Sequence, residues 1–290
     1  MIDLELMKSI CCLNDEDLEE NLINFLFSNS YKGHIQHLKG SFIMAEGDLP
    51  ICLIAHVDTV FTFPPRKDDF LYDQEKQILW SPYGSGFDDR AGITMIIQLI
   101  LKGYHPSIIF TFDEEVGGEG AKDLINCYKT CPFKCNALIE LDRMNEKDCV
   151  FYQCDNKNFV KYIESFGFKE AQGSFTDISF IAPRWKIAAT NLSVGYLDEH
   201  TTSERLNLSW YNQTFEKLIA ILDNSKNMKF YKYIPKKIQN ISHLGNRTTC
   251  FLCGAPLWKK KIKITENNGI QFYCCENCYD VYYNNDFDNF

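Results

Sequence analysis

"PICLIAHVDTV", residues 50–60, decides how the rest of the chain is read. Pro50 opens it, a short apolar run follows, and the run ends on a histidine and a carboxylate. A run of this length with no helical period predicts a buried strand ending near Thr59. In a strand, residues i and i+2 share a face, so His56 and Asp58 project together from its carboxyl end. An imidazole with a carboxylate beside it suits a metal ligand. H-x-D alone also describes a satisfied histidine at a strand end, so partners downstream must decide between the two.

Outward from this strand, short apolar runs alternate with amphipathic ones. Leu4, Met7, Ile10 and Cys11 recur at helical spacing, and a second helix is predicted near 16–27, capped by Asn14 or Asp15. "SFIMAEG" is a strand that neighbours the first. The predicted order continues as helix 90–104, strand 107–115, helix 118–129, strand 136–143, helix 156–168, strand 187–195 and helix 208–223. That alternation predicts an α/β fold: a three-layer αβα arrangement with a central mixed, largely parallel sheet and helices on both faces.

The 290 residues are 45% hydrophobic and 24% charged, enough for one full core and a smaller module. The acidic start lacks the basic and apolar stretches of a signal peptide, and no run reaches the length of a membrane span. Thirteen cysteines without an export signal imply a reducing compartment, and the expectation is a cytoplasmic protein. Residues 226–290 carry ten Lys/Arg against five Asp/Glu, whereas the preceding 225 hold twenty against thirty-four. So acidic a body argues against nucleic acid as its partner. The composition divides the chain into a catalytic domain (1–225), a Lys- and Asn-rich linker (226–246) and a cysteine-dense module (247–290).

Metal-binding residue types gather at the carboxyl ends of the predicted strands: His56 and Asp58, Asp88, Glu114 and Glu115, Asp142, His200. Each alone has a plain reading, as a solvated turn, a cap or a loop histidine. Together they lie on the edge where open α/β sheets bind ligands. Two histidines and several carboxylates, one of them bridging, suit a pair of cations ~3.5–4 Å apart that lowers the pKa of water toward ~7. Imidazole and carboxylate donors without thiolate favour Zn²⁺, and Mn²⁺ or Co²⁺ also suit. Consecutive glutamates diverge, so one can bind metal while the other serves as a base.

The ordered set H-V-D, G-F-D-D-R-A-G, D-E-E, L-D-R and D-E-H-T-T, spread over about residues 50–205, resembles the di-zinc exopeptidase and deacylase superfamily. The resemblance implies that His56, Asp88, Glu115, Asp142 and His200 bind metal, Asp88 bridging both ions. It further implies that Asp58 orients His56 and that Glu114 is the general base. Glu140 shares a strand face with Asp142 and stays open as an alternative ligand, Asp142 being nearer the strand's end. "GSFTDISF" (173–180) resembles a loop of the family that would set Thr176 and Asp177 beside the substrate. Arg90 and Arg143 are read as partners in structural or solvated ion pairs. Only 57 residues separate Asp142 from His200, too few for the separate lid domain of the dimeric members. This departure points to the compact, aminopeptidase-like branch.

In the tail, Cys250/Cys253 and Cys275/Cys278 form two C-x-x-C pairs with 21 residues between them. Two such knuckles make a Cys₄ site for one structural Zn²⁺, with Cys274 an alternative to Cys275. A module this small draws folding free energy from its metal, and a protein-docking role suits it better than nucleic acid. Cys127, Cys131 and Cys135 look like a further stripe, but Pro132 breaks the helix between them, leaving core packing. The expected function is a zinc-dependent exopeptidase, an aminopeptidase. The alternatives are an N-acyl-amino-acid deacylase with the same two zincs, or a non-catalytic adaptor acting through the ribbon. The partners that follow are a small peptide or N-acyl amino acid as substrate and a protein at the ribbon.

Overall fold

A computed structural model describes residues 2–29, 31, 35–236, 250, 257, 262–265 and 271–274. Asp3 and Asn14 open the first two helices, α1 (Leu4–Cys11) and α2 (Asp15–Ser28), by accepting hydrogen bonds from Leu6 N and Asp17 N. The chain then forms β1 (Ile35–Leu38), β2 (Phe42–Ala45) and β3 (Leu49–His56), followed by the short β4 (Leu71–Asp73) and β5 (Ile78–Trp80). All eight residues of β3 are buried, which the apolar run at 50–55 requires of a strand covered on both faces. Next come α3 (Phe87–Leu101), β6 (Pro106–Thr111), α4 (Glu119–Cys127), β7 (Ala137–Arg143) and β8 (Asp148–Val150). The body ends with α5 (Lys157–Glu164), β9 (Lys169–Glu170), α6 (Ile178–Trp185), β10 (Ala189–Ser193), β11 (Tyr196–Leu197), β12 (Arg205–Asn207) and α7 (Leu208–Asn224). In the tail, β13 (Ile262–Thr265) and β14 (Gln271–Cys274) pair antiparallel.

Eight strands form one sheet in the order β1-β2-β6-β3-β7-β10-β8-β9. The central four, β6-β3-β7-β10, are mutually parallel, while β2 joins β6 and β8 joins β10 antiparallel. The fold is therefore α/β with a central mixed, largely parallel sheet. Helix α3 packs on β3 and β7 with α1 behind it, and α6 packs on β7 and β10 beside α4. The carboxyl ends of β3, β6 and β7 meet along one edge. Gly92 allows α3 to settle there: a Cβ on it would lie 2.2 Å from the Leu141 carbonyl oxygen of β7. A second sheet, β11-β12-β5-β4, flanks this edge.

Several boundaries differ from expectation, α5 among them, which ends at Glu164 rather than near 168. Strand β6 stops at Thr111, leaving Asp113–Glu115 in a turn whose first residue has φ 57°. The segment of α3 begins at Phe87, but Asp88 and Asp89 have non-helical dihedrals (ψ 99° and 37°), so regular helix runs from Arg90 as expected. Cys127 ends α4, and of the other two cysteines in that stripe Cys135 is buried as core. The segment taken as the start of a linker is seated on the body. Tyr231 N donates to Asn136 O, Ala188 N donates to Tyr231 O, and Met228 and Tyr233 are buried. Cys253, Cys275 and Cys278 lie outside the described residues, whereas Cys250 and Cys274 are both buried. No helix among the described residues is long and apolar enough to cross a membrane.

Candidate metal centre

His56 ends β3, fully surrounded by protein at 1% exposure. Its Nδ1 lies 2.9 Å from the Asp58 carbonyl oxygen and 3.5 Å from the Asp58 carboxylate. A carbonyl only accepts, so Nδ1 carries the hydrogen and Nε2 points at the ligand cluster. The ring is thus held chiefly by the backbone of Asp58 rather than by its side chain. That carboxylate has a second task. It accepts from Glu114 N and Glu115 N, each at 3.1 Å, and so clamps the turn after β6.

Nε2 of His56 lies 3.1 Å from Asp88 Oδ1 and 3.4 Å from Asp142 Oδ1. Nε2 of His200 lies 3.1 Å from Asp88 Oδ2 and 3.0 Å from Glu115 Oε2. The donors form two triads, His56/Asp88/Asp142 and Asp88/Glu115/His200, that share Asp88 through its two oxygens. An ion bonded at ~2.0–2.1 Å in a tetrahedron separates its donor atoms by about 3.3 Å, which these spacings match. Glu140 is buried on the same strand face but joins neither triad. The peptide bond between Asp88 and Asp89 is cis.

Three of the candidate ligands, Asp142, His56 and Asp88, are held by neighbours. Thr176 Oγ1 donates to Asp142 Oδ2 at 2.8 Å and Tyr196 OH donates to Oδ1 at 3.1 Å. Asn191 brackets the Asp142 peptide, donating to its carbonyl and accepting from its N–H. Asp89 accepts from the backbone N–H groups of His56 and Gly92. Glu204 accepts from Asp88 N at 2.9 Å. For Thr176 and Asp177, expected beside the substrate, the structure gives partners within the chain. Both are buried, Thr176 bonded to Asp142 and Asp177 accepting from the Thr111 hydroxyl. Arg90 is a structural partner: its guanidinium spans Asp15 and the carbonyls of Ile10 and Leu13, tying α3 to α1. Arg143 donates to the Gln172 carbonyl.

The electrostatics call for cations. Asp88, Glu114, Glu115, Glu140, Asp142, Asp177 and Glu204 crowd together, and among the described residues none of them is paired to Lys or Arg. Burial, then repulsion from Asp88, pushes the Asp142 carboxyl up to about 6. Burial likewise raises Glu114, whose charged neighbours are His56, Asp142, Asp177 and Asp88. For Asp88, burial opposes ionisation, but hydrogen bonds from His200 and His56 outweigh it and hold the carboxyl low. Hydrogen bonds to Asp88 and Glu115 push His200 up to about 11. Glu115 Oε1, Glu140 Oε2, Asp177 Oδ1 and Glu204 Oε2 are buried without a hydrogen-bond partner. Uncompensated buried carboxylates cost several kcal/mol each, an expense that divalent ions relieve. Donor type, spacing and charge therefore all fit a pair of such ions.

Sequence reasoning missed Asp89, Asn191, Tyr196 and Glu204. Only Asp89 left a trace, as the second carboxylate of D-D; the others act through atoms that the fold brings together.

No protein-family model and no curated protein matches the chain. Solved structures do. The aminopeptidase PepT of Bacillus cereus superposes with a TM-score of 0.63 at 13% identity, covering 76% of this chain and 97% of that one. A tripeptidase of Staphylococcus aureus gives 0.65 at 12%, covering 79% and 100%. A TET aminopeptidase from a marine-sediment thaumarchaeon gives 0.54 at 12%, covering 76% and 96%. At such identities the likeness establishes a shared fold.

Proposed function

We propose that the chain is a zinc-dependent exopeptidase, an aminopeptidase acting on small peptides. The observation that carries this reading is the pair of donor triads joined by Asp88. That the folds it shares include an aminopeptidase and a tripeptidase supports the choice of reaction. His56 and Asp142 would hold one ion, Glu115 and His200 the other, and Asp88 both. Bound there, divalent ions make water acidic near neutral pH and polarise a peptide carbonyl. Glu114 takes the proton from the attacking water and returns it to the departing nitrogen as the C–N bond breaks. Asp58 positions Glu114 and Glu115 through their backbone N–H groups and fixes the His56 ring. Thr176 and Tyr196 immobilise Asp142. Cys250, Cys253, Cys275 and Cys278 would bind a third, structural zinc, making residues 247–290 a docking module for a protein partner.

The test is Glu114→Gln. This variant is expected to keep two ions in the centre while kcat falls at least about a hundredfold on free-amine peptides. Undiminished hydrolysis removes Glu114 from the chemistry. Turnover of N-acylated amino acids alone would make the enzyme a deacylase, and two bound ions without hydrolysis of any peptide would leave a scaffold.

A further inference from the structure

Glu204 is the one fully buried carboxylate on the loop that carries His200, and it binds no residue of that loop through its side chain. Its Oε1 accepts from Asp88 N at 2.9 Å, and its Oε2 has no partner. Its carbonyl accepts from Ser85 Oγ at 3.2 Å, and the same Oγ accepts from Ser81 N at 3.0 Å. The two loops leave one small sheet. β5 runs into residues 81–86, β12 begins directly after Glu204, and the two strands pair with Leu79 opposite Leu206. Glu204 therefore closes a bracket whose arms end on Asp88 and His200. On the other side, His56 is tied to α3 separately, through Asp89.

From this bracket we infer that Glu204 is a positioning residue for the His200 half of the metal centre, setting Asp88 Oδ2 against His200 Nε2. The inference rests on the two-ion reading above. A backbone N–H fixed by a buried acceptor cannot swing, so the carboxylate one side chain away presents a constant bite. His200 itself is half-exposed, and the other bonds of its loop are local, Thr201 Oγ1 to the Asp198 carbonyl, Glu204 N to the Thr201 carbonyl and Arg205 to the Asp198 carboxylate, so that none of them reaches Asp88. Groups that orient ligands from behind typically change metal affinity by about tenfold to a hundredfold.

The experiment measures Zn²⁺ affinity in two backgrounds, each keeping one half of the centre. In His56→Ala only the Asp88/Glu115/His200 half is complete; in His200→Ala only the His56/Asp88/Asp142 half. Adding Glu204→Ala is expected to weaken Zn²⁺ about tenfold or more in the first background and by much less in the second. Glu204→Gln, which keeps the acceptor oxygen, should restore binding, whereas Glu204→Asp, one methylene short, should behave like alanine and guards against a misfolded alanine variant. Equal weakening in both backgrounds, or none in either, overturns the positioning role. A wild-type body that takes up fewer than two ions overturns the two-ion reading itself, and the role of Glu204 with it.

Discussion

Thr176 and Asp177 are neighbours in the chain, buried alike, and bound to different strands: Thr176 to Asp142 at the end of β7, Asp177 to Thr111 at the end of β6. The Thr176 hydroxyl donates to the Asp142 carboxylate at 2.8 Å, alongside Tyr196 at 3.1 Å and Asn191 at 3.4 Å. Thr176→Val keeps the shape and removes that donor. The expected result is about tenfold weaker Zn²⁺ binding at the His56 half. Stability should fall by only ~1 kcal/mol, the worth of one hydrogen bond. Titration calorimetry with thermal unfolding reads both quantities. A large loss of stability with unchanged affinity would make Thr176 a packing residue only. Paired with the Glu204 variants, this substitution should divide the two halves of the centre from opposite sides.

At the scale of elements, the centre depends on how closely α3 approaches β7, since one carries Asp88 and the other Asp142. Gly92 sets that approach, its missing Cβ filled on one side by the Leu141 carbonyl and on another by Asp89 Oδ1 at 2.5 Å. Gly92→Ala forces the helix outward, and overpacking of this kind costs about 2 kcal/mol. The expected outcome is a melting temperature lower by roughly 4–8 °C together with weakened binding of both ions. An alanine variant with native stability would show that α3 can slide freely. The candidate ligand residues were legible in the sequence because strand alternation and strand ends give them addresses: His56 and Asp58 two apart, Glu114 and Glu115 after a run of β-branched and aromatic residues. The small sheet was not. Its strands are two or three residues long, too short for any period to register. Glu204 was hidden for the same reason, because its partner is a backbone N–H 116 residues away that no side-chain pattern announces.

For the molecule as a whole, the balance is one of charge. A body with fourteen more acidic than basic residues in its first 225 places seven carboxylates at one sheet edge without a lysine or arginine among the described residues to answer them. Folding without metal must leave these groups protonated or mutually repelling, and both states destabilise the native edge. Ions that bind only the folded chain stabilise it by ~2.7 kcal/mol each when present at a hundred times their dissociation constant. Two such ions amount to ~5 kcal/mol, or a rise in melting temperature on the order of 10–20 °C for a body of this size. Chelation should therefore lower the unfolding temperature by that margin, and Zn²⁺ should restore it. Metal analysis should find about three ions per chain, one lost with His56→Ala, another with His200→Ala and the third with the tail cysteines. A melting temperature indifferent to chelator would mean that the carboxylates at this edge are neutralised by protons alone, leaving the five donors without an ion to hold.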